Sequence, residues 1–206
     1  MARLTDDVLA FVSACLPDAP ARVLEVGAGQ GRLAAALGEL GYDVLAIDPA
    51  PGAAHVRAVA LHEVAEPAGS FDAAVAVLSL HHVEPLEESC RVLAELVRQG
   101  GTVVIDEFDV ERFDERAARW WTGQRAAAGV EPPRDVSETV ADLQAHLHPV
   151  GRLRDALSGA FALGRPVRGA YLHRWDLEPG LRGVEERLIA SGRLPATGAR
   201  LVGTRG

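Results

Sequence analysis

Apolar residues in this chain fall into short unbroken runs, separated by stretches where they recur every three or four positions. The runs at 22–26, 42–48, 71–78 and 102–108 read as strands buried on both faces. Between them Leu33, Leu37 and Leu40, and then Leu86, Cys90, Leu93, Leu96 and Val97, mark one face of a helix each. The first helix is expected over 31–40, with Gly41 just past its end. Pro85 stands near the start of the next, and Gln99-Gly100-Gly101 closes it. Strands alternating with helices predict an α/β fold with a doubly wound, mostly parallel sheet.

The pattern is less regular elsewhere. Leu4, Val8, Leu9, Phe11, Val12 and Leu16 predict a helix over 3–16, with Thr5 or Asp6 as its cap. A third strand is expected over 56–61, but Pro51 to His55 leaves room for only about one helical turn before it, where a parallel crossover needs about a dozen residues. Residues 109–160 lose the alternation, and hold Trp120-Trp121, the break Glu131-Pro132-Pro133-Arg134 and a helical pattern near 136–147. They read as a helical lid over the ligand end of the sheet, inserted into a single domain spanning 1–206. A sixth strand is expected over 165–177, with Tyr171, His173 and Trp175 on one face. A helix over 185–190 and a last strand over 197–204 follow.

The chemistry concentrates in Glu25-Val26-Gly27-Ala28-Gly29-Gln30-Gly31, where a strand meets a helix N-terminus. Glycines there let the backbone turn and let a ligand approach. The dinucleotide fingerprint G-x-G-x-x-G would need its third glycine at position 32, which is Arg32. Asp48, at the tip of the second strand, can accept the hydroxyls of a ribose.

The acid-x-G-x-G-x-G turn resembles the first motif of class I S-adenosylmethionine-dependent methyltransferases. Phe71-Asp72 followed by an apolar strand and the pair His81-His82, and the helix–Gly-Gly–strand passage over 99–106, are also similar to that family. The resemblance implies a seven-stranded Rossmann-like sheet with an antiparallel last strand. It implies S-adenosylmethionine as cofactor, held by Glu25, Gly27, Ala28, Gly29, Gly31, Asp48, Pro49, Glu63 and Val77. Methyl transfer from a sulfonium asks mainly for positioning, with a general base where the acceptor must lose a proton. His82, His81 and Glu107 are the candidates, with Asp106 and His173 as rivals.

Composition narrows the partners. The 206 residues carry a net charge of −8, which opposes nucleic-acid and anionic-membrane partners. A small, largely apolar or aromatic acceptor is expected between the fifth-strand tip and the lid, with Trp120 and Trp121 as a wall. No run of about 18 apolar residues suggests a membrane span, and no secretory signal is evident. Two cysteines far apart, Cys15 and Cys90, indicate a reducing, cytoplasmic setting and no metal cluster. The oligomeric state is left open, a homodimer included. Two other readings stand beside the transferase: a cofactor-binding regulatory or partner protein without activity, and a nicotinamide oxidoreductase, which the glycine spacing opposes. A G-x-S-x-G hydrolase elbow is absent from the sequence.

Overall fold

The computed structural model describes residues 5–133 and 135–206. Leu4 of the first helical pattern and Arg134 of the proline-rich break lie outside the described residues. In chain order the elements are α1 (Asp6–Cys15), β1 (Arg22–Val26), α2 (Arg32–Glu39), β2 (Asp43–Asp48), β3 (Arg57–Ala58), β4 (Phe71–Val77), α3 (Leu86–Leu96) and β5 (Val97–Phe108). Then come α4 (Glu115–Ala127), α5 (Val136–His146), α6 (Val150–Ser158), β6 (Phe161–Leu163), β7 (Val167–Gly169), α7 (Arg182–Ala190) and β8 (Gly198–Arg205).

One sheet runs in the order β3-β2-β1-β4-β5-β8-β6, with β7 also pairing β8. Strands β1 to β5 are parallel, and β8 lies antiparallel to β5. Eight strands stand where seven were expected, because β6 lies before the expected sixth strand and β7 within it, parted by Gly164-Arg165-Pro166. Strands β6 and β7 pair successive stretches of β8.

Alternation along the strands feeds two cores. Val23, Ala73, Val75 and Val104 pack with Val8, Val12, Leu33 and Leu37 of α1 and α2. Leu24, Val26, Ala74, Ala76, Val103 and Ile105 pack with α3 and α6 on the other face. This layering is the doubly wound arrangement.

Four expectations need correction. Thr5 occupies the N-cap position of α1 but makes no side-chain cap. The third strand shrinks to two residues, and no helix precedes it. The proline-interrupted loop after Asp48 instead folds over the glycine turn, with Gly52 N donating to Gly29 O at 2.8 Å. The 109–160 insert divides, since Val150, Leu153 and Leu157 of α6 belong to the main core, leaving α4 and α5 as the lid. The strand expected over 165–177 ends at Gly169, and Leu172–Arg174 is a 3-10 turn. The backbone N–H groups of Tyr171, Leu172 and His173 all donate to the Glu185 carboxylate at 2.8 to 2.9 Å, so they are not free for a sheet ladder.

Candidate functional site

The site forms where β1, β2 and β4 end. Gly27, Gly29 and Gly31 have φ of 70°, 53° and 66°, a region that residues with a Cβ avoid. The N–H groups of Gly27 and Ala28 both donate to Ile47 O at 2.9 Å, which ties the turn to β2. A Cβ on Gly27 would stand 2.3 Å from the Cβ of Ser79, so the β1 and β4 turns meet only because position 27 is bare. Ser79 Oγ donates to Val26 O at 2.7 Å and locks that approach.

A cleft of about 370 Å3 opens beside this junction. Gly27, Asp48 and Pro49 form one side, with Val59, Ala60 and Leu61 at one end and Leu78, Ser79, His82 and Val83 opposite. Asp48 Oδ2 accepts from Gly29 N at 2.9 Å and Oδ1 from Ala50 N at 2.8 Å. A carboxylate offers about four acceptor sites, so capacity remains for a diol. Glu25 sits beneath the glycine turn, 4% exposed. Burial pushes its carboxyl up to about 8, a hydrogen bond from the Ala34 backbone opposes that, and the Asp48 charge adds to it. Its Oε2 has no hydrogen-bond partner among the described residues, and an unpaired buried oxygen calls for an explanation.

The structure brings Gly27, Asp48, Pro49 and His82 onto one cleft, while Glu25 is buried two residues before Gly27 and does not line it. Other expected contacts go elsewhere. Gly31 caps α2, and a Cβ there would meet the His55 ring at 2.1 Å, so its bareness serves packing. Ala28 is buried behind the turn, Gly29 holds Asp48, and Val77 is half-buried in register with Asp106. Glu63 is exposed and turns back to accept from Ala60 N at 3.3 Å; Ala60 and Leu61 reach the cleft instead. Leu78, with φ 56°, was not foreseen, because nothing local in the sequence signals a left-handed leucine.

The three catalytic candidates separate by depth. Glu107 is fully buried; its Oε1 accepts from Ser79 N at 2.9 Å and Leu80 N at 2.6 Å, and its Oε2 pairs with His81 Nδ1. Burial alone would favour a neutral His81, but the Glu107 charge and hydrogen bond outweigh it and raise its pKa. His82, its ring centroid 4.2 Å from that of His81, is exposed on the cleft wall. Its pKa is lowered by burial of part of the ring and by the His81 charge, with His148 adding to the same effect and Glu107 opposing it. His82 alone of the three therefore presents a neutral imidazole to the cleft. Asp106 is bound by Arg174 and Arg200, and His173 by Glu185.

The tryptophan wall is corrected as well. Trp121 is 6% exposed, stacks on Trp175 at 4.3 Å and donates to Trp175 O at 2.9 Å. With Phe108, Phe113 and Tyr171 it forms the core under the lid, and Trp120 packs at its edge. Among the described residues no helix is long and apolar enough to cross a membrane, and no group of three metal-ligating side chains occurs.

Known proteins share this fold. A solved S-adenosylmethionine-dependent methyltransferase from Mesorhizobium loti superposes with a TM-score of 0.62 at 19% identity, covering 98% of each chain. A 1,6-didemethyltoxoflavin-N1-methyltransferase from Burkholderia thailandensis, solved with its substrate and S-adenosylhomocysteine, gives 0.52 at 20% identity over 90% of this chain and 71% of that one. In sequence, a ubiquinone biosynthesis O-methyltransferase of Xanthomonas axonopodis pv. citri is 37% identical over a match covering 47% of each chain. The chain thus spans about half the length of the curated relatives it matches. The model of the methyltransferase domain family matches residues 1–134. The glycine turn, the acid at the tip of β2 and the β4 turn all fall inside that match, and the chain belongs to the methyltransferase domain family, with the Rossmann-like fold of its S-adenosylmethionine-dependent members.

Proposed function

We propose that the cleft binds S-adenosylmethionine and that the protein transfers its methyl group to a small molecule. The observation that carries this is Asp48 on the cleft with acceptor capacity to spare, one glycine turn away from buried Glu25, whose Oε2 has no hydrogen-bond partner among the described residues. Asp48 suits the ribose hydroxyls. Glu25, with an unsatisfied buried oxygen, suits the amino end of the ligand. Val59, Ala60, Leu61 and Val83 give the apolar walls that a flat base needs.

When bound, the cofactor supplies an activated methyl group. The protein's own part is to align an acceptor with it, keep water away and take up a proton if one is released. His82 is the group placed for that last task. His81 and Glu107 do not line the cleft and act by holding the turn and its charge. The acceptor reaches the cofactor from the β5 tip beneath the lid, whose end is tied to the β4 turn by His148 N donating to His81 O at 2.9 Å. The net charge of −8 favours a small acceptor over nucleic acid. Both cysteines are free, which fits a reducing, cytoplasmic setting.

Calorimetry tests the reading directly. S-adenosylmethionine and S-adenosylhomocysteine are expected to bind with one site each, and NAD not at all. A protein that takes NAD and neither sulfur ligand overturns it. Methylation across a panel of small acceptors separates a transferase from a binding protein.

A further inference from the structure

A second cavity, of about 280 Å3, lies between the first turn of α1, β7, the start of β8 and α7. In a chain of net charge −8 its lining is unusual, because Arg168, Arg174, Arg182 and Arg200 all face it. Their carboxylate partners are firmly engaged. Asp106 accepts from Arg174 Nη1 at 2.7 Å and from Arg200 Nε at 2.9 Å. Arg182 donates to Glu186 at 2.7 Å and to Asp7 at 3.2 Å, and Arg168 pairs with buried Asp109. The donors are not used up. The Arg174 side chain is 6% exposed, yet its buried Nε has no hydrogen-bond partner. A charged N–H closed off from water without an acceptor is unfavourable, and the protein's own carboxylates do not reach it.

The position is also suggestive. Asp106 lies at the carboxyl end of β5, where open α/β sheets take their ligands. Its carbonyl accepts from Leu78 N at 2.8 Å, and Leu78 lines the cofactor cleft. One strand pair therefore separates the two spaces. Around the arginines, Val167, Ile189 and Ala190 add an apolar wall. The lining sets four guanidinium groups against three carboxylates, Asp7, Asp106 and Glu186, so a single added negative charge fits better than two. A planar guanidinium fork also matches a carboxylate in shape.

We propose that this cavity clamps the carboxylate of an organic acid between Arg174 and Arg168, and that this acid is the methyl acceptor. The second half rests on the methyl-transfer reading above.

Titration of the whole protein with benzoate tests it, with benzamide and inorganic phosphate as controls and S-adenosylhomocysteine titrated alongside. Arg174→Lys keeps a charge against Asp106 and removes the fork. Gly169→Leu is the safer variant, because Gly169 lines the cavity and a Cβ there meets nothing within 4 Å, so the added side chain takes up its space without removing a charged group. Benzoate is expected to bind at least tenfold more tightly than benzamide, and each variant to weaken it at least tenfold while the melting temperature of Gly169→Leu holds. Benzoate binding no better than benzamide, displacement by phosphate, or indifference to Gly169→Leu overturns the proposal. If S-adenosylhomocysteine binds and benzoate does not, the clamp fails and the methyl-transfer reading stands. If benzoate binds and S-adenosylhomocysteine does not, the clamp stands and its assignment to a methyl acceptor is overturned.

Discussion

Two turns in this molecule are built alike and do different things. Ser79-Leu80-His81 follows β4, and Tyr171-Leu172-His173 follows β7. Ser79 (φ −133°, ψ −41°) and Tyr171 (φ −140°, ψ −40°) share one backbone conformation. Each leads into a 3-10 turn whose leucine is fully buried. In each a buried glutamate accepts the N–H groups at the start of the turn and bonds the histidine Nδ1. Glu107 does so from β5 and Glu185 from α7. The device is therefore scaffolding, a way to end a strand without leaving buried donors unpaired. What differs is the fourth residue. His82 stands on the cleft beside the glycine turn, whereas Arg174 is buried against Asp106. A glutamate–histidine pair in this fold is not in itself a catalytic signature; the surface its turn presents decides the role.

The largest effects should come from the glutamates. Glu107→Ala and Glu185→Ala each leave several buried N–H groups and an imidazole without an acceptor, and each should cost about 3–5 kcal/mol. Denaturant unfolding checks this, and a cost below about 1 kcal/mol at either site would break the likeness between the turns. Next comes the fourth position. His82→Ala should lower turnover by about 10²-fold or more if the acceptor must lose a proton, with cofactor affinity changed little. Equal turnover in mutant and wild type would remove His82 from the chemistry. Affinity for the cofactor should be disturbed only on the first turn's side. Asp48→Ala should weaken S-adenosylhomocysteine by roughly ten- to a hundredfold, while His173→Gln should leave it unchanged. Calorimetry on both proteins decides, and a loss on His173→Gln would show that the second turn also serves the cleft.

The sequence made one turn much easier to read than the other. Strands β1 and β4 are largely apolar runs buried on both faces and β2 is a half-buried one, and the ranges read from them match the structure within a residue or two. The first turn was found because it follows such a run and ends in a His pair. The second hid inside a false alternation. Tyr171, His173 and Trp175 do recur every second residue, but Glu185, 10 to 14 positions downstream, takes the N–H groups that a strand would need. Periodicity reports which side chains are apolar and is blind to such a long-range acceptor. For the same reason Glu107 and His81 read as catalytic candidates. Nothing near them in sequence says that the carboxylate lies behind the histidine and away from the cleft. Glu25, Gly27 and Asp48 were legible because a glycine-rich strand–helix turn fixes its own neighbours.

The smallest effect is the most discriminating, because the two turns should respond to pH on opposite sides. His81 has its pKa raised in the folded protein, since the Glu107 charge and hydrogen bond outweigh burial. A histidine of this kind holds its proton more tightly folded than unfolded. Its contribution is fully present below about pH 6.5, the unfolded value, and is lost as pH rises through the higher folded value. Glu185 shifts the other way. Burial pushes its carboxyl up, but hydrogen bonds from the His173 ring and from three backbone N–H groups outweigh that and hold it below the ordinary range. Its contribution is fully present above about pH 4.3 and is lost as pH falls through the lower folded value. The stability gap between wild type and His81→Gln should therefore narrow as pH is raised from 6 to 9. The gap between wild type and Glu185→Gln should narrow as pH is lowered from 6 to 3. Unfolding free energies across both ranges measure this. Two gaps narrowing on the same side would mean that His81 and Glu185 do not shift in opposite directions, and the contrast between the two turns would fall.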